Sequence, residues 1–141
     1  MSLFHESQDH FTPEEAVIAL LFLAVTADGS IAPEEEELVI AASNRMELLK
    51  NHGIPEFNQA VDKVRAAIDA AGRELTFRNA LSAVPTQIAG TIYALCADIV
   101  YANASATPEE NAYLRQLQET LNISDDLATK VIEVMLLKNS G

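Results

Sequence analysis

Apolar residues recur at helical spacing along nearly the whole chain. Phe57, Ala60, Val61, Val64, Ala67, Ile68 and Ala71 follow the one-face helical template, and Gly72 stands where the pattern stops. Val39, Ala42, Met46 and Leu49 give a second stripe that ends before Gly53, and Phe77, Leu81 and Val84 mark a short helix ahead of Pro85. Two stretches, 13–27 and 86–102, are apolar nearly all round, a pattern that predicts the buried centre. The predicted order is helices over 13–27, 33–51, 56–71, 74–83, 86–102, 108–121 and 125–138. No segment alternates as a strand does. The expected fold is all-α, a compact bundle of about seven helices in one domain spanning 1–141, with 1–11 a loosely ordered N-terminal segment.

The helix starts are written in the sequence. Thr12-Pro13-Glu14-Glu15 and Thr107-Pro108-Glu109-Glu110 each place a Thr cap before Pro and a Glu at the third helical position, the makings of a capping box. Ala32-Pro33-Glu34-Glu35 repeats the arrangement without the hydroxyl, and Ser124-Asp125-Asp126 opens the last helix with carboxylates at its positive end.

An internal repeat organises these elements. Residues 20–39 laid over 95–114 match Leu20 with Leu95, Val25 with Val100, Ala27 with Ala102, Ser30 with Ser105, Pro33 with Pro108 and Glu35 with Glu110. Two helix–loop–helix units are therefore predicted inside one domain. The loops carry the carboxylates, so a site is expected there.

Charge narrows the partners. Nine basic residues against 21 acidic ones give a net charge of −12. With no basic cluster to neutralise phosphates, nucleic acid is not an expected partner, and a cation or a protein with a basic surface is. Cys96 is the sole cysteine, set in an apolar run; it reads as a buried, inert thiol in a reducing, cytoplasmic compartment. The first residues, Met1-Ser2-Leu3-Phe4-His5-Glu6, lack the pattern of a secretion signal, and the apolar run from Ala16 to Val25 is about half the length of a membrane span, so no direct membrane insertion is expected.

Asp28-Gly29-x-Ile31-x-x-x-Glu35 matches the latter half of a calcium-binding EF-hand loop, but the early ligand positions fall on Ala24 and Thr26, which supply no carboxylate. A looser oxygen site for a divalent ion is the remaining ligand reading, and helix capping by the same Glu residues is the structural one. Asp98 is the one charge between Pro85 and Asn103, so it is expected either to pair with Arg73 or Arg78 or to face the loops. His5, His10 and His52 show no metal-ligand spacing, and no phosphate loop, nucleophile elbow or zinc-protease pattern occurs.

The apolar helix followed by Ala27-Asp28-Gly29-Ser30-Ile31 and then Glu35 resembles the tellurite-resistance TerB-like family. It also resembles the related amino-terminal domain of a membrane-anchored DnaJ-type co-chaperone. The resemblance covers about Thr12 to Leu137. It implies two pseudo-repeated units, a role in bacterial tellurite resistance or wider stress response, and action through metal-ion sensing and protein contacts without an enzymatic reaction. By the motif, Asp28, Glu35 and Glu110 become metal ligands, with Asp98 a candidate from the preceding helix. The second unit departs from the pattern, because Asn103 and Ala104 stand where Asp-Gly is expected. Three functional readings follow. The first is an ion-responsive or interaction module holding a divalent metal of open identity and contacting a protein partner. The second is a scaffolding domain that docks a basic partner without metal. The third, more remote, is a hydrolase.

Overall fold

Ten consecutive residues that offer water no polar side chain must be surrounded, and the helices are arranged to do it. The computed structural model describes residues 10–27, 40, 54–102 and 106–140. Six helices are delimited there: α1 (Pro13–Val25), α2 (Ile54–Ala71), α3 (Arg73–Ala83), α4 (Ala89–Val100), α5 (Pro108–Thr120) and α6 (Asp125–Ser140). The helix expected over 33–51 lies outside the described residues except for Ile40, which is helical and packs on the core. No strand occurs among the described residues.

Helix α1 is the axis. Every residue from Ala16 to Val25 is at most 5% exposed, and α2, α3, α4 and α5 all pack against it. Tyr113 from α5 donates its hydroxyl to the Leu20 carbonyl at 2.7 Å, and its ring meets Phe77 of α3 edge-on at 5.6 Å. The other apolar helix behaves differently. Ile92, Tyr93, Cys96, Ala97, Ile99 and Val100 of α4 are buried, yet Gly90 and Thr91 are exposed and Leu95 is half-buried. Small residues supply much of the apolar count on its outer face, and such residues lose little by meeting water. The expectation that both stretches form the buried centre holds on all sides for α1 and on one face only for α4.

The ends follow the sequence closely. Thr12 and Thr107 both accept the backbone N–H of the Glu three residues on, at 3.1 Å each. Glu15 and Glu110 return the favour by accepting the N–H of their own Thr. Both caps are complete capping boxes with nearly the same backbone angles. Gly72 has φ +90°, a conformation that strains any residue with a Cβ, and this single residue turns α2 into α3. Pro85 precedes a 3-10 turn (Thr86–Ile88), so the helix expected over 86–102 becomes regular only at Ala89. At the end of α5, Asn122 takes φ 58° while Ile123 N–H reaches the Gln118 carbonyl and Asn122 N–H reaches that of Glu119. That is a Schellman turn with Asn in the place usually held by Gly.

The N-terminal end of α1 is clamped from α2. The Lys63 ammonium donates to the His10 carbonyl at 2.7 Å and to Glu15 Oε1 at 3.0 Å, and it lies 5.6 Å from the centre of the Phe11 ring. Phe11 itself is buried.

Leu20→Ala is expected to lower unfolding free energy by about 2–5 kcal/mol, and Leu95→Ala by clearly less, in urea titrations. A second expectation concerns acid. Burial raises the Glu15 pKa, but the Thr12 N–H and Lys63 outweigh it and hold the carboxyl below its ordinary value. A depressed folded pKa stabilises the protein above the unfolded value, and that contribution is lost as pH falls through the folded one. Glu15→Gln should therefore flatten the loss of stability below about pH 4.5. Denaturant midpoints measured across acid pH check this.

Candidate functional site

The loop of each repeated unit leaves the C-terminal end of a buried helix, so the chemistry of those ends sets the site. In the first unit, Thr26 closes α1: its N–H and its hydroxyl both donate to the Phe22 carbonyl, at 3.1 and 2.8 Å. The last turn of α1 contains no basic residue to meet the negative end of the helix dipole. Arg73 supplies that charge from the start of α3. Its Nη1 donates to Thr26 Oγ1 and its Nη2 to the Leu23 carbonyl, each at 2.8 Å. The guanidinium fork thus satisfies an end carbonyl of α1 and fixes the hydroxyl next to the chain's exit toward Asp28. Asp28 and Glu35, the candidate ligands of this unit, lie outside the described residues.

In the second unit, α4 ends with Tyr101 N–H donating to the Ala97 carbonyl and Ala102 N–H to that of Ile99. The Tyr101 hydroxyl reaches over to the Asn111 side-chain oxygen of α5 at 2.8 Å. Burial raises the Tyr101 pKa, and the nearby Glu110 charge raises it further. Glu110 itself spends Oε1 on the Thr107 N–H at 2.8 Å, so the structural role foreseen for it is realised. Residues 103–105, with the departure at Asn103 and Ala104, lie outside the described residues.

Asp98 has a partner that the sequence did not suggest. Lys138 of α6 lies 3.1 Å from Asp98 Oδ1, and the Asp98 side chain is 16% exposed. Neither expected arginine takes this place: Arg73 is committed to α1, and Arg78 pairs with Glu74 one helical turn away, at 3.2 Å. The Arg73 or Arg78 pairing is corrected to Lys138. Asp98 and Glu110 thus each have a partner within the protein. Among the described residues, no group of three or more His, Cys, Asp or Glu is placed to hold a metal ion.

A cleft of about 250 Å³ opens beside the Arg73 fork, between Leu23, Arg73, Glu74, Phe77, Tyr113 and Gln116. Its polar atoms have partners: Gln116 donates to Glu74, and Tyr113 to Leu20. Burial pushes the Tyr113 hydroxyl well above its ordinary pKa, partly offset by Arg73, so it stays protonated and donating. Burial likewise pushes up the Cys96 thiol, whose Sγ lies 3.8 Å from the Leu20 carbonyl. It is not an activated nucleophile.

Arg73 was expected beside Asp98, and its place at the end of α1 is what pattern reading passed over. The signal was present, because a cation at the first position of its own helix sits at the unfavourable end of that dipole. Such a residue is there for another group.

With the geometry in view, the family model described as tellurite resistance protein TerB matches residues 14–130, and the chain belongs to that family. No curated protein and no solved structure matches the chain.

Arg73→Met should destabilise the domain by about 1–3 kcal/mol, since it leaves a helix-end carbonyl and the Thr26 hydroxyl without their donor. Arg73→Lys should recover only part of this, because one ammonium does not reproduce a two-pronged fork. Thermal melts of the three proteins give the comparison.

Proposed function

From membership in the tellurite resistance TerB family, we propose that this chain is a non-enzymatic module whose acidic first loop takes a divalent cation and thereby adjusts contacts with a protein partner. The observation that carries the reading is the commitment of Asp98 to Lys138 and of Glu110 to the cap of α5. A carboxylate already serving an ammonium or a helix cap is a poor competitor for a hard cation. Of the four candidate ligands, this reading assigns the cation to Asp28 and Glu35, which lie outside the described residues, with Asp98 and Glu110 at most adjusting the second loop. Glu35 differs from Glu110 in sequence context, because Ala32 offers no capping hydroxyl where Thr107 does. The ion is magnesium, calcium or zinc by ligand chemistry alone, and the net charge of −12 suits both the cation and a basic protein surface. The cellular setting that goes with this reading is cytoplasmic and linked to stress response; no single described helix is long and apolar enough to cross a membrane.

A second reading draws on the same observation. If capping and ion pairing are the whole use of these carboxylates, the domain is a scaffold that docks a basic partner without metal.

Calorimetric titration of magnesium, calcium and zinc separates the two. Asp28→Asn and Glu35→Gln should each remove most of the binding heat seen with wild type, whereas Asn103→Ala and Glu110→Gln should change it little. Equal losses at both loops would end the one-sided site, and a wild type that binds none of the three ions leaves the scaffold reading. A broad screen for hydrolase, transferase and redox turnover should return background values, and turnover lost on Glu35→Gln would overturn the non-enzymatic assignment.

A further inference from the structure

Helix α6 is held far more lightly than the centre of the bundle. Ala128 is its one buried side chain among those described, Val131 and Met135 are half-buried against the core, and Leu127, Val134 and Leu137 stand open to water. Among the described helices, α6 lies chiefly against α4. Helix α1, by contrast, is buried at every position from Ala16 to Val25 and meets four neighbours. Buried apolar surface is what offsets the cost of ordering a helix, and a helix of 16 residues standing alone is marginal in water. Elements with few such contacts open at a lower free energy than the whole domain.

The polar contacts that dock α6 sit at its two ends. At its start, Ser124 Oγ accepts the Leu127 N–H at 3.1 Å. Gln118 of α5 donates to Asp125 Oδ1 at 2.6 Å and to the Ile123 carbonyl at 3.2 Å. With the turn at Asn122, these fasten the corner between α5 and α6. At the far end, about 20 Å along the helix, Lys138 donates to Asp98 Oδ1 at 3.1 Å, in the last turn of α4. A further ion pair, Lys130 with Asp126, is internal to α6 and does nothing to dock it.

We infer that α6 is a strap, hinged at its corner with α5 and latched by Lys138 on Asp98, that lifts off α4 as a unit while the rest of the bundle stays folded. Lifting uncovers the side of α4 beneath it and takes the Lys138 ammonium away from the Asp98 carboxylate, four residues before Ala102 and the second loop. The closed strap thus controls access to the root of that loop. The inference stands apart from any cation at the first loop.

Hydrogen exchange of the full chain, read by mass spectrometry on peptides from α1 and α6, tests this. Once off α4, the helix loses its order and its amides exchange, so α6 should exchange at least roughly a hundredfold faster than α1. Lys138→Met keeps much of the side chain's apolar length but removes the latch, and it should speed exchange by roughly tenfold across residues 129–137 alike. Fraying from the C-terminal end would speed only the last turn. Asp98→Asn should act in the same direction, and the two substitutions together should do less than the product of their separate effects. Ile18→Val, a mild change inside α1, supplies the control. It weakens the closed and the lifted states equally, so α1 exchange should rise roughly two- to tenfold while α6 exchange stays unchanged. Equal exchange in α1 and α6, both rising together in Ile18→Val, overturns the inference. So does a Lys138→Met protein whose α6 exchanges as wild type does, or speeds up in the last turn alone.

Discussion

The burial of α1 on all sides is the constraint from which the arrangement follows. A helix with one apolar stripe can lie at a surface, but Ala16 to Val25 offer water no face at all. Four helices must then contact it, and each brings its own apolar stripe inward and leaves its polar side out. The constraint also explains where the internal polar groups sit. Within α1, Tyr113 and Arg73 bond to backbone carbonyls, the polar atoms that an apolar helix still presents, and Arg73 adds the hydroxyl of the capping Thr26. Both are long side chains from neighbouring helices, and both end in donors that fit a carbonyl.

Local signals in the sequence were legible because they act over three or four residues. Thr12 with Glu15 and Thr107 with Glu110 close the capping boxes their spacing allows, and Gly72 breaks the helix where the apolar period stops. The partner of Asp98 was not legible, because Lys138 is 40 residues away and nothing local distinguishes it from other surface lysines. The character of α4 was misjudged for a different reason. Hydrophobic count treats Ala89, Ala94 and Gly90 like Leu, although small residues do not demand burial. Asn122 in the left-handed conformation was a further miss, since Asn takes that place less often than Gly and the sequence gives no other mark of the turn.

The carboxylates show how one residue type answers two demands. At a helix start, a Glu facing backbone N–H groups stabilises the fold with no ion present. The same oxygen atoms are what a hard cation seeks. Where a Thr cap is available, as at Thr107, the fold takes the Glu for itself. The repeat has kept Glu in both units while the capping hydroxyl appears only in the second.

Cations hold both ends of α1 and come from one continuous stretch of chain, which also lays Arg65 over the Phe22 ring at 5.3 Å. Lys63 grips the N-terminal end at Glu15, and Arg73 grips the C-terminal end at Leu23 and Thr26. Between them the rigid α2 and the one-residue corner at Gly72 keep the two grips a set distance apart, like the jaws of a caliper. Sliding α1 lengthwise by even part of a turn would pull one jaw off its partner while pressing the other into it. The central helix is therefore held against axial sliding at both of its ends, at Glu15 and at Thr26.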